Sequence, residues 1–216
     1  MGINEIQEDE SYCVAASPGI KGLHYSDIQW KFWLIEQFDQ FEGNFDNAAR
    51  LLKELAEGVK YIEEKIGKKL ADRKCPKIYV SESGNKNNPA VIYLPESNAI
   101  CLRLDFLGHR SGADMNKLYT FKSEYSGEPM FVGTYPQIFR LIGVEEAHHA
   151  LYHQIKHPKE TVPNLHQTVV EHDAEDIEFK ARRWELRYAL EHHYPQEGIE
   201  VLRRRIQAVL SARKKK

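Results

Sequence analysis

Apolar positions first fall into a helical register near Ser26. In SDIQWKFWLIEQFDQF, Ser26 is placed to cap a helix, and Ile28, Phe32, Trp33, Ile35, Phe38 and Phe41 give it a wide apolar face that ends at Gly43. That face reads as core, or as a surface covered by another part of the chain. Residues 46–66 repeat apolar positions at helical spacing through Leu51, Leu52, Leu55, Val59, Ile62 and Ile66, with Gly67 as a stop. The period then changes. KIYVSES, AVIYLP and AICLRLDF are short β-branched and aromatic runs separated by the turn-formers GNKNNP and ESN, which predicts an antiparallel sheet of three strands or more. Residues 108–136 carry no clear period and predict a long loop or a loose hairpin around TFKSEYS and PMFVGTY.

The helical period returns after Pro136, with Ile138, Phe139, Leu141, Ile142, Ala147, Leu151 and Ile155 on one stripe. A second helix is expected from near Thr168 to about His193, where Tyr194-Pro195 breaks it, and EGIEVLRRRIQAVL predicts an amphipathic closing helix. This order predicts an α+β fold with N-terminal helices, a sheet, and helices to the end. Residues 1–25, with Ser17-Pro18-Gly19 and no apolar period, are expected to form a partly flexible N-terminal arm. Residues 26–210 then form a single domain and 211–216 a basic tail.

Composition narrows the class. The 216 residues carry 30 Lys+Arg against 32 Asp+Glu and are 42% hydrophobic, which suits a chain that buries a real core and is too apolar for disorder throughout. No apolar run approaches the roughly 20 residues of a membrane span, and the acidic start MGINEIQEDESY is unlike a secretory signal, so a cytoplasmic protein with no membrane partner is expected. Cys13, Cys75 and Cys101 are too few and too scattered for a disulfide framework or a cysteine zinc site and read as buried thiols. The RRR and RKKK groups read as a solvated helix face and a frayed tail. The near-neutral charge and the lack of a reading motif argue against nucleic acid as a partner.

The chemistry concentrates in one stretch. Six of the ten histidines lie between 148 and 172, among Glu145, Glu146, Glu171, Asp173 and Glu175, and imidazole mixed with carboxylate suggests a metal. On a helix, Glu145 and His149 share a face and can reach one ion, while Glu146 sits about 100° round, where it can contact a water on that ion. This is the geometry of His-Glu-x-x-His, with the first histidine replaced: Glu145-Glu146-Ala147-His148-His149. Two other frames use the same residues. His149 and His153 with a glutamate one turn before form a ladder that lacks a base at position 150. Glu146-x-x-His149 fits a di-iron bundle, but such bundles need a second copy that no other segment supplies, and the strands argue against a bundle. Tyr152, one turn from His148, reads as packing, with an oxyanion contact as the functional alternative.

LIGVEEAHHALYH resembles the active helix of zinc metallopeptidases, and the order helix, strands, motif helix is that of a minimal zincin domain. The likeness is to the compact ImmA/IrrE-type peptidases in particular, gluzincins that cut phage and stress repressors, whose Glu-rich helix is similar to TVVEHDAEDIEFKARRW; it covers roughly residues 46–190. The resemblance implies a zincin-like fold and a zinc-dependent hydrolase of peptide bonds. It places Glu145 and His149 as first and second metal ligands, Glu146 as general base for a metal-activated water, and Glu171, 22 residues after His149, as third ligand. Glu175 would orient a ligand, His172 competes for the third position, and His148 and His153 are further candidates at or near the ion.

Two carboxylates and one imidazole neutralise a divalent zinc, so the bound water should be less acidified and harder ions such as manganese or iron come into range. A protein or peptide substrate would lie along an exposed edge of the AICLRLD strand. The alternative is a catalytically inactive zincin-like binding or regulatory module with a structural metal or none. The sequence does not fix the oligomeric state.

Overall fold

The computed structural model describes residues 15–16, 23–38, 41–66, 76–81, 90–94, 98–123, 126–156 and 174–213. The fold is α+β. Six helices, α1 (Asp27–Gln37), α2 (Phe45–Ile66), α3 (Leu104–Ser111), α4 (Tyr135–Lys156), α5 (Ala174–Glu191) and α6 (Gln196–Arg213), accompany two small sheets. The strands are β1 (Ala15–Ala16), β2 (Lys77–Ser81), β3 (Val91–Leu94), β4 (Ala99–Arg103), β5 (Tyr119–Lys122) and β6 (Pro129–Gly133).

Ser26 caps α1 as its sequence predicts: its hydroxyl accepts from the Gln29 amide while the Gln29 side chain accepts from the Ser26 amide. The helix ends at Gln37, well before Gly43, because Phe38 turns to an extended backbone. The expected apolar face is divided. Trp30, Trp33, Leu34 and Phe38 enter the core, whereas Ile28, Phe32 and Ile35 are 66%, 59% and 44% exposed.

The larger sheet is mixed, not antiparallel, with the order β1-β2-β4-β3. β3 and β4 form an antiparallel hairpin turned at Asn98, whose φ is +47°, and β4 slots between β3 and β2, running parallel to β2 with Ile78 opposite Ile100. Ala99 to Leu102 are all buried, as a central strand covered on both faces requires. Ala15–Ala16, within the expected arm, pair with β2 at the opposite edge from β3. AICLRLDF is not one strand: after Arg103 the chain turns into α3, where the Asp105 carboxylate accepts from the Phe106 amide in the first turn. The stretch 108–136 does hold a hairpin, β5–β6, with a bulge at Phe121/Lys122. No helix among the described residues is long and apolar enough to cross a membrane.

The helix that carries the candidate site is held by a close crossing. A Cβ on Gly58 of α2 would strike the Arg140 carbonyl of α4, and one on Gly143 would strike the Leu55 carbonyl, so both helices need glycine at the crossing. Beside it Arg140 pairs with Glu54 and donates to the Tyr188 hydroxyl at 3.2 Å, which fastens α5 to the pair. Gly198 of α6 approaches the Val132 carbonyl of β6 in the same way.

Gly143→Ala is expected to lower stability by about 1–3 kcal/mol, the usual range for forcing extra volume into a packed contact. Gly112→Ala is the control: its φ is −75° and its nearest neighbour, the His109 carbonyl, would lie 3.8 Å from the new Cβ. Urea unfolding of both variants should separate them, with Gly112→Ala neutral or stabilising by up to about 1 kcal/mol.

Candidate metal centre

α4 starts with a reciprocal cap, the Thr134 amide donating to Gln137 Oε1 at 3.0 Å and the Gln137 amide to Thr134 Oγ1 at 3.4 Å. It then runs through the interior, with Val144, Ala147, Ala150 and Leu151 buried. A helix covered on most sides carries few charges, and those it has must find partners. Glu145 and His148 are buried, and Glu146 and His149 nearly so.

Glu145, His149 and Glu178 each offer a ligand atom, all within 4.8 Å of one another. His149 Nε2 lies 3.4 Å from Glu178 Oε1, and His149 Nδ1 lies 3.8 Å from Glu146 Oε2. The Nε2 atom is buried and has no hydrogen-bond partner among the described residues. The structure thus brings together Glu145, Glu146 and His149 of the sequence expectation, with Glu178 where a third ligand would be. Glu171 and His172 lie outside the described residues, as do the side chains of His153 and Glu175. His148 faces elsewhere: with Lys180 and Trp184 it lines a separate cavity. Tyr152 is packing, its hydroxyl donating to Asp176 Oδ2 at 3.1 Å.

Two arginines complete the cluster. Arg205 of α6 lies 3.1 Å from Glu145 Oε1 and 2.8 Å from Glu185 Oε2, donates to the Met130 carbonyl, and sits over the Phe131 ring. Arg182 pairs with Glu178 Oε2 at 3.2 Å, so Glu178 gives one oxygen to the guanidinium and turns the other to His149. Of the three arginines expected on a solvated face, Arg203 and Arg204 are exposed and Arg205 is not. Its position was legible in part, because Leu202, Arg205 and Val209 share a face with Gly198 on the core side of α6. Glu185 likewise falls on the buried stripe of Ala181, Tyr188 and Ala189. Glu178 is half-exposed, one turn before Arg182, and nothing in its spacing marks it above Glu171 or Glu175.

Burial governs the titration of these groups. It would raise Glu145, but Arg205 and then His149 outweigh it and hold that carboxyl below its ordinary range. Glu185 is pushed well up, by burial first and then by the neighbouring Glu145 carboxylate, against the pull of Arg205. Glu146 is pushed up to about 7, by burial first and then by Glu145 and Glu178, against the pull of His149 and a hydrogen bond from the Tyr93 backbone amide. Burial, with His149 next, pushes His148 down to about 3, so its imidazole is neutral.

Glu145 and Glu146 also form the polar end of a cleft of about 160 Å³, walled by Val91 of β3, Phe121 of β5, and Met130 and Phe131 of β6. The strand edge at this cleft belongs to β3. The AICLRLD strand is β4, flanked on both sides and without an edge to offer, so the expectation that substrate lies along it does not hold.

No family model, no curated protein and no solved structure matches the chain.

Arg205→Met should destabilise the protein by about 3–5 kcal/mol, because it strands the Glu145 and Glu185 carboxyls without their shared cation. Arg205→Lys should recover less than half, since one ammonium does not span two carboxylates as a guanidinium fork does. Chemical unfolding of both variants checks this, and equal stability of all three proteins would refute it.

Proposed function

We propose that the chain is a metal-dependent peptidase of zincin type, in which Glu145, His149 and Glu178 hold one divalent cation and Glu146 is the general base. The observation that supports the reading is the His149 imidazole, whose buried Nε2 makes no hydrogen bond among the described residues and which offers a ligand atom within 4.8 Å of carboxylate oxygens of Glu145 and Glu178, from two helices. An imidazole nitrogen and two carboxylate oxygens suit zinc, with manganese or iron as alternatives.

The ion would supply a Lewis acid that polarises a carbonyl and lowers the pKa of water. The chain's own residues do the rest. Glu146 lines the cleft and takes the proton of the attacking water, then passes it to the leaving amine. The outer edge of β3 aligns an extended substrate by main-chain hydrogen bonds, and Phe121, Met130 and Phe131 line the cleft with apolar surface that excludes water. The substrate class is a protein or peptide able to present an extended segment.

A second reading has its own support. Arg205 and Arg182 already compensate the carboxylates of Glu145 and Glu178, so the cluster can hold α4, α5 and α6 together as a buried ion network in a non-catalytic binding protein.

Elemental mass spectrometry of untagged protein separates the two. Close to one equivalent of zinc, manganese or iron is expected, lost in His149→Ala and Glu178→Ala and kept in Glu171→Ala and Glu146→Gln. Glu146→Gln should also lower cleavage of a fluorogenic peptide library by about 100-fold or more. Protein that takes up no metal on reconstitution would exclude the peptidase reading and leave the ion network.

A further inference from the structure

Residues of α4 and α5 line a second, open cavity of about 340 Å³, on a face of α5 that the candidate metal centre does not use. Its walls are His148, Lys180, Arg183, Trp184 and Arg187. Lys180, Arg183, Trp184 and Arg187 stand at spacings of three, four and seven along α5 and so share one helix face. Three cations on one face repel one another unless something negative sits among them.

Part of that charge is met within the helix, by Asp176 on Lys180 at 2.6 Å and Glu191 on Arg187 at 2.8 Å. These are exposed pairs one turn apart, of a kind worth little each and readily exchanged for a better anion. Arg183 has no carboxylate partner among the described residues; its guanidinium lies over Phe179. His148 is only 5% exposed, lines the same cavity, and its Nδ1 atom has no hydrogen-bond partner among the described residues. An imidazole nitrogen can donate a hydrogen bond, and an acceptor that reaches it from the cavity would satisfy it.

We infer that this cavity binds the phosphate group of a small phosphorylated molecule. A phosphate offers several acceptor oxygens to two guanidinium forks, an ammonium and an imidazole at once, whereas a carboxylate offers two oxygens and a single charge. The cavity is larger than a phosphate needs, and Trp184 supplies an apolar wall for the organic part of the ligand. A volume of about 340 Å³ lies within the range of small-molecule sites, so the fit is to a small molecule. The inference is independent of the peptidase reading, since it uses none of Glu145, Glu146, His149 and Glu178.

Calorimetric titration of the full chain, with EDTA present to keep metal out of the readout, tests it with four probes: inorganic phosphate, adenosine 5′-monophosphate, adenosine and citrate. Saturable binding of phosphate and tighter binding of the monophosphate are expected, with none by adenosine. Arg183→Gln and Lys180→Gln, both surface changes that leave the thermal midpoint in place, should each weaken the monophosphate about tenfold, the scale of one lost charge-assisted hydrogen bond. The proposal is overturned by any of three results: no binding of either phosphate probe at millimolar concentration, unchanged affinity in both variants, or citrate binding as tightly as the monophosphate.

Discussion

A buried guanidinium sets the geometry of the candidate centre. Arg205 enters from α6 and meets a carboxylate of α4, a carboxyl of α5 and a backbone carbonyl of β6. An arginine does not lose its proton in a folded protein, so the interior around it has to supply acceptors. Glu145 is one of them, which fixes the rotation of α4 about its own axis. The other positions then follow from helix geometry: Glu146 is carried round toward Tyr93 of β3 and the cleft, and His149, one turn on, comes beneath Glu145 and opposite Glu178. The Gly58–Gly143 crossing makes this rotation rigid, because two backbones in contact leave the helix little freedom to roll.

Much of the scaffold is legible from periodicity, and the exceptions have physical causes. α2, α4, α5 and α6 follow apolar repeats that the core needs, and Ser26 starts α1 because its hydroxyl has an amide to accept from. The mixed sheet was not legible, since the spacing of strands along the chain is the same whether β4 lies outside β3 or inside it; only the burial of Ala99 to Leu102 decides. α3 was hidden because LRLDF alternates like a strand, although the chain turns into the helix directly after Arg103. In α1 the apolar positions are so many that they cover two faces, and pattern alone does not say that Trp30 and Leu34 take the inner one while Phe32 is left outside.

The centre divides in the same way. Glu145, Glu146 and His149 are local, one turn of one helix, and the spacing finds them. Glu178, Glu185 and Arg205 reach the cluster from other helices: Glu178 is 29 positions from His149, Glu185 is 20 from Arg205, and Arg205 is 60 from Glu145. Charged residues at core phase were the available signal. Glu185 and Arg205 both stand on stripes otherwise made of apolar side chains, and a pair of opposite charges at such positions in neighbouring helices is more economically explained by contact than by two separate breaks in the pattern.

The glutamate at position 145 is best understood through Arg205. A histidine there would put a ring where the guanidinium has a carboxylate and leave it with Glu185 alone, whose carboxyl burial pushes well up. The arginine and the glutamate are therefore one choice. It also changes the charge argument drawn from the ligand types alone. Two carboxylates and an imidazole would neutralise a divalent ion, but each carboxylate is shared with a guanidinium, Glu145 with Arg205 and Glu178 with Arg182, so an ion held there would keep part of its charge. The same arginines would satisfy the carboxylates with no ion present, so carboxylate pairing does not discriminate between an ion site and an ion network. His149 is where the two readings differ: its buried Nε2 makes no hydrogen bond among the described residues and lies 3.4 Å from Glu178 Oε1, so the ion network uses it as a partner of Glu178, whereas the proposed ion would take the same imidazole as a ligand.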